Sequence, residues 1–181
     1  MNARHPDRAH DRREVARRAR RLADAARRNR LPVRDALHTG ARVAVLGLAR
    51  SGRAAAELAL ARGYRVFASD GGDSPAVRVA AERVRALGGE AETGGHTSAR
   101  LAECAVIVIS PGIPPTAAVL ADARLAAVPR ISELEFAFRH LSVPVIAITG
   151  TNGKSTTTAL TAHLLSAAGM EAPAAGNIGR A

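Results

Sequence analysis

The chain has 181 residues, a net charge of +10, 47% hydrophobic residues, 2% aromatic residues, one cysteine and no tryptophan. That length suits one full domain and the start of a second. A single cysteine excludes an internal disulfide and a multi-cysteine metal site, and the lack of tryptophan argues against stacking nucleic-acid bases on aromatic platforms.

No apolar run approaches the ~18 residues of a membrane-spanning helix. No apolar segment follows the arginine-rich start in the way a secretory signal requires, so a cytoplasmic protein is expected. The positive charge is concentrated at one end. Residues 1–42 hold thirteen arginines and five acids, whereas residues 43–181 hold thirteen basic and eleven acidic residues. The larger part is close to neutral, so nucleic acid is not its expected partner.

Residues 1–40 read as a separate basic extension, helical or disordered. Val15, Ala19, Leu22 and Ala26 follow a helical spacing, and arginines fill much of the remainder. Such a helix could meet RNA, an anionic membrane surface or an acidic partner. Its apolar face is mostly alanine and buries little area, so a frayed, solvated helix without a role is the simpler expectation.

From Arg42 onward strands and helices alternate. Strands are expected at 43–46, 64–68 and 105–109, and helices at 54–62, 75–87 and 115–125. Ser132 with Glu135 three residues later reads as a capping box opening a helix to Leu141. The apolar run Val143–Ile148 reads as a buried strand, and 156–168 as the helix after it. Repeated β-α-β units with near-continuous apolar strands predict an α/β fold: a Rossmann-like parallel sheet domain over 41–141. Residues 142–181 then read as the truncated start of a P-loop ATPase α/β domain.

Two glycine turns carry the chemistry. Gly47-Leu48-Ala49-Arg50-Ser51-Gly52 follows the first strand, and Asp70 ends the second. This is close to the dinucleotide pattern, a pyrophosphate at a helix N-terminus and an acid near the ribose. It admits the NAD-binding domain of an oxidoreductase, although Ala49 stands where the second glycine would allow close backbone approach. Ser110-Pro111-Gly112-Ile113 follows the third strand, where a glycine at a strand's carboxyl end lets a ligand come close.

The second turn is Gly150-Thr151-Asn152-Gly153-Lys154-Ser155-Thr156. Strand, glycine loop, Lys-Ser/Thr and helix is the layout of a phosphate-binding loop. Glycines let backbone N–H groups crowd around phosphate oxygens, and the helix N-terminus adds partial positive charge. Lys154 supplies a mobile cation, and Ser155 or Thr156 a hydroxyl for Mg²⁺. The strict pattern would need glycine at 148, where Ile148 stands, so this is a shorter form. Cys104 reads as a buried small hydrophobe. His96 and His163 lack partners at metal spacing.

These motifs, with Gly176-Asn177-Ile178-Gly179, occur in the order seen in the D-glutamate-adding branch of the Mur ligases, the amide-forming ligases of peptidoglycan precursor synthesis. The resemblance covers about residues 42–181 and leaves residues 1–40 out. It implies an ATP-dependent ligase in which UDP-N-acetylmuramoyl-L-alanine is activated as an acyl phosphate and attacked by D-glutamate, with ATP and Mg²⁺ as cofactors and a monomer as the full-length form. It also implies that Lys154 and Ser155 are catalytic, that residues 150–156 hold ATP, and that Ser155 and Thr156 face the metal. On the substrate side it implies phosphate contacts from Arg50 and Ser51, Asp70 near the uracil, Gly112 at the nucleotide sugar, and Asn177 near the muramoyl group. The further acids, the histidine and the modified lysine that the family uses are expected beyond Ala181. A dehydrogenase would have no use for the loop at Gly150.

Overall fold

The computed structural model describes residues 37–176. The expected basic helix and Asn177 lie outside the described residues. Elements follow in the order β1 (Arg42–Leu46), α1 (Arg50–Ala61), β2 (Arg65–Asp70), α2 (Pro75–Ala86), β3 (Glu90–Thr93), α3 (Ser98–Ala102), β4 (Val106–Ile109), β5 (Arg130–Ser132), α4 (Glu133–Arg139) and α5 (Lys154–Ala167). Two 3₁₀ turns, Ala118–Ala121 and Ala123–Leu125, lie between β4 and β5.

The five strands form one parallel sheet in the order β3-β2-β1-β4-β5. The chain moves outward from β1 through β2 to β3, then crosses back to place β4 on the other side of β1. That reversal opens a crevice at the carboxyl ends of β1 and β4, where open α/β sheets bind ligands.

Register explains the core. Ala44 pairs with Phe67 and Ile107, and Leu46 with Ser69 and Ile109. Because side chains alternate between faces, Ala44, Leu46, Phe67 and Ile107 share one face. They pack with Leu101 of α3, Cys104 in the turn after it, and Leu125 of the second 3₁₀ turn. Val43, Val45, Ala68, Val106 and Val108 share the opposite face and are also buried. On that side Ala55, Ala56 and Ala59 of α1 and Ala80, Ala81 and Val84 of α2 are buried. Small side chains bring these helices close to the strands, so a core poor in aromatics can still be dense.

Phe67 and Phe136 are the exceptions, large rings that are fully buried, Phe67 near the sheet edge. The Arg100 guanidinium lies 4.0 Å from the Phe67 centroid. Arg100 pairs in turn with Glu90, and Arg42 pairs with Glu90 and Glu103. The cations stack on the ring while the acids hold them in place.

Several expected elements differ. The helix predicted from Pro115 to Leu125 is replaced by the two 3₁₀ turns. Asp122 breaks it: its backbone is extended and its carboxylate accepts the Arg124 N–H at 2.9 Å, a local bond that competes with helix continuation. Strands β3 and β5 were not anticipated. Each is three or four residues long and largely polar, and pairing with β2 or β4 decides their state.

The capping box is half formed. Ser132 Oγ accepts the Glu135 N–H at 3.1 Å, whereas the Glu135 carboxylate binds Arg139 at 2.6 Å. The helix ends at Arg139, short of Leu141.

The largest correction concerns Val143–Ile148, expected to be a buried strand. No ladder includes it, and Val143 and Ile146 are 63% and 62% exposed. A strand needs hydrogen-bonded neighbours and covered faces, and among the described residues none pairs with this run. The helix that follows, α5, has no buried residue, and Leu160 and Leu164 are exposed. Amide exchange should report this contrast. Amides of Val43–Leu46, Val66–Ala68 and Val106–Val108 should be protected at least about a hundredfold more than those of Lys154–Ala167. Equal protection in the two sets would contradict the packing described.

Candidate functional site

The site at the switch point is built from the ends of β1, β2 and β4. Gly47 ends β1 with a φ of +94°, a conformation that side chains disfavour. Its N–H donates to Ser69 O at 2.8 Å. A Cβ on Gly52 would sit 1.9 Å from Gly47 O, and one on Gly47 would sit 2.8 Å from Ser110 Cβ. The two glycines therefore let α1 start directly against β1 and let the β4 loop close from the other side.

Helix α1 opens without a side-chain cap from its N-cap residue. Ala49 occupies the N-cap, makes no side-chain hydrogen bond there, and no acid lies in the first turn. The first turn of this 12-residue helix therefore adds no acid of its own against the helix dipole, an arrangement that favours a phosphate. Arg50 and Ser51 occupy its first two positions, exposed and half-buried respectively.

Asp70 ties this turn to the next loop. One carboxylate oxygen accepts the Leu48 N–H at 2.6 Å, and the other accepts the Gly72 N–H at 2.8 Å. It is thus the strand-end clamp that its position allowed, and it holds the β2 loop beside the β1 turn. Gly112 lies exposed in the loop after β4, and an added Cβ there would meet nothing within 4 Å. The chain's own packing gives no reason for a glycine at that position.

The structure brings Arg50, Ser51, Asp70 and Gly112 to one edge of the sheet. It also places there Glu92 and Glu133, which the sequence did not single out, together with Ser69, Ser110 and His96. Ser110 Oγ donates to the buried Glu133, the first residue of α4, and lies 3.5 Å from Gly47 O. Ser69, fully buried, lies 2.7 Å from both Glu92 and His96. Glu92 also accepts the Thr97 N–H and hydroxyl at 2.7 Å each. Partial burial pushes the Glu92 carboxyl up, but its bonds from Thr97 and Ser69 and the nearby Arg100 outweigh this and hold it below the ordinary range. Glu92 was missed because β3, which carries it, does not read as a strand.

The second predicted loop stands apart in its bonding. Gly153 has a φ of +75° and is the N-cap of α5, a 14-residue helix with no side-chain cap and no acid in its first turn. Lys154 Nζ donates to the carbonyls of Gly150 and Thr151 within its own loop. Residues 150–156 are all exposed.

This donor set fits the phosphates of a nucleotide: backbone N–H groups at a helix start, a mobile ammonium, and the Ser155 and Thr156 hydroxyls. Toward Mg²⁺ the hydroxyls offer one or two ligands. Among the described residues no three of His, Cys, Asp and Glu come together as a metal site. Cys104 is buried, as expected, and burial pushes its thiol up to about 11.

Two measurements check this geometry. Gly52→Ala should destabilise the fold by about 3 kcal/mol, because backbone at 1.9 Å cannot yield without moving the turn; urea unfolding reads the loss. In the folded chain Cys104 should resist iodoacetamide at pH 8, well below its raised pKa, and react fully in denaturant. Rapid native alkylation would contradict the burial.

Known proteins match this arrangement. A UDP-N-acetylmuramoylalanine–D-glutamate ligase of Desulfatibacillum aliphaticivorans is 39% identical over 140 residues, covering 77% of this chain and 31% of that protein. The same-named enzyme of Frankia casuarinae is 45% identical over 141 residues, covering 77% and 30% respectively. The chain thus spans about a third of the length of the curated relatives it matches. Among solved structures, a murein peptide ligase of Psychrobacter arcticus 273-4 superposes with a TM-score of 0.51 at 27% identity, over 72% of this chain and 27% of that one. The family described as Mur ligase MurD-like, N-terminal domain, matches residues 41–132, the segment that holds all five strands, and the chain belongs to that family.

Proposed function

We propose that the chain serves an ATP-dependent, amide-forming ligase that adds D-glutamate to UDP-N-acetylmuramoyl-L-alanine in cytoplasmic peptidoglycan precursor synthesis, with a monomer as the full-length form. The observation that carries this reading is the uncapped, glycine-tight start of α1 at the switch point of a sheet that belongs to this family. Residues 41–141 are the UDP-substrate domain in this reading, and 142–181 begin the ATP-binding domain.

In this reading the α1 N-terminus, through the Arg50 and Ser51 N–H groups and the Ser51 hydroxyl, binds the substrate diphosphate. Asp70 fixes the loop that faces the base, and Gly112 leaves room for the nucleotide sugar. Asn177 meets the muramoyl group. ATP with Mg²⁺, when bound, supplies the phosphoryl group that activates the substrate carboxylate. Residues Gly150 to Thr156 cradle its phosphates. Lys154 is to leave the Gly150 and Thr151 carbonyls and neutralise charge between the terminal phosphates, while Ser155 and Thr156 turn hydroxyls to the metal.

The dehydrogenase reading has one feature in its favour, the Gly47 turn with Asp70. Ala49 and the second glycine loop count against it.

Calorimetry separates the two. The chain should bind UDP-N-acetylmuramoyl-L-alanine more tightly than NADH. Lys154→Ala should leave that affinity unchanged while abolishing measurable ATP binding. Tighter binding of NADH would overturn the assignment. Phosphate release from ATP with both substrates present should stay at background for this chain alone, because the described residues give Mg²⁺ no clustered carboxylates.

A further inference from the structure

The cluster of Ser69, Glu92, His96 and Thr97 has a defined direction of hydrogen bonding. Glu92, held as a carboxylate, can only accept. It takes the Thr97 N–H and hydroxyl, so the Ser69 hydroxyl at 2.7 Å must donate to it. Gly95 O, at 3.4 Å from Ser69 Oγ, is the weaker competitor for that proton. With its proton spent on Glu92, Ser69 Oγ accepts from His96 Nδ1, also at 2.7 Å. A neutral imidazole protonated on Nδ1 has a bare Nε2, an acceptor.

Nε2 is the ring atom turned toward the β2 loop. A Cβ on Gly71 would lie 3.0 Å from it, and His96 is only partly buried. Among the described residues Nε2 has no hydrogen-bond partner. Both Asp70 oxygens, by contrast, already hold backbone N–H groups. Glycine at 71 lets the β2 loop pass close beside the ring, and the half-buried His96 keeps part of its surface at that edge.

We propose that His96 reads the nucleobase: its Nε2, held as an acceptor by the Ser69–Glu92 relay, accepts the ring N–H of uracil and discriminates against cytosine, whose matching ring nitrogen carries no proton. The proposal rests on the reading that this edge of the sheet binds a uridine nucleotide. With cytosine two acceptors face each other, so the discrimination comes from an unmade bond as well as a made one.

The test is calorimetry of the 181-residue chain with UDP and with CDP, in wild type and His96→Ala. Wild type should prefer UDP by roughly tenfold or more, about the worth of one buried hydrogen bond. In His96→Ala the ratio should fall to within about twofold, mainly through weaker UDP binding. If both ligands weaken equally and the ratio persists, His96 only props the loop and the proposal is overturned, while the uridine site stands. If wild type binds neither nucleotide, the underlying reading fails and this proposal falls with it.

Nitrogen-15 NMR of the wild-type imidazole gives a second readout that does not depend on a variant folding. It should find Nδ1 protonated and Nε2 bare, with Nε2 shifting on addition of UDP and not of CDP. An Nε2–H tautomer would overturn the proposal.

Discussion

Everything at the ligand edge depends on one close approach, that of α1 to the end of β1. Gly52 has no Cβ, and the space such an atom would fill is occupied by Gly47 O. The turn between strand and helix is therefore as short as the backbone allows, and the helix N-terminus points into the crevice where the strand order reverses. A longer turn would carry those N–H groups away from the β4 loop. Ser110 closes from that side, and its hydroxyl is held by Glu133 from the start of α4. Three segments far apart in sequence thus converge on two glycines.

The polar groups behind the site are hydrogen-bonded, and each joins neighbouring loops. Asp70 uses both oxygens to fasten the β2 loop to the β1 turn. Glu92 gathers Ser69 and Thr97 at the end of β3. Buried or half-buried polar groups are costly unless they are satisfied. Behind the site Asp70, Glu92, Ser69 and Thr97 are satisfied by one another and by backbone N–H groups, which fixes the loops. The start of α1 carries no side-chain cap from Ala49, and His96 lies at the same edge, beside Ser69 and Gly71.

The second loop, around Gly150, shows the opposite condition. It has the glycine conformation, the helix start and the lysine of a phosphate-binding loop. The run leading into it pairs with no strand among the described residues, and Lys154 binds its own loop's carbonyls. Apolar residues at 143, 145, 146, 160 and 164 remain exposed. Local sequence sets the turn, whereas the strand requires neighbours in hydrogen-bonding register.

The sequence by itself determined the elements whose signals are local. The apolar runs of β1, β2 and β4, the helix at 75–87 and the serine cap at Ser132 take the predicted form. Among the candidate site residues, Arg50, Ser51, Asp70 and Gly112 were named through the family resemblance, and they lie at or just after strand ends, where a parallel sheet meets its ligand. Tertiary structure alone decided the rest. β3 and β5 are strands only because β2 and β4 offer them partners. Val143–Ile148, the more apolar run, is not a strand because none of the described residues pairs with it. The Ser69–Glu92–His96 relay was illegible for the same reason: its members lie on separate elements, and the direction of its hydrogen bonds emerges only when pairing of β2 with β3 brings a carboxylate, a hydroxyl and an imidazole within 3 Å.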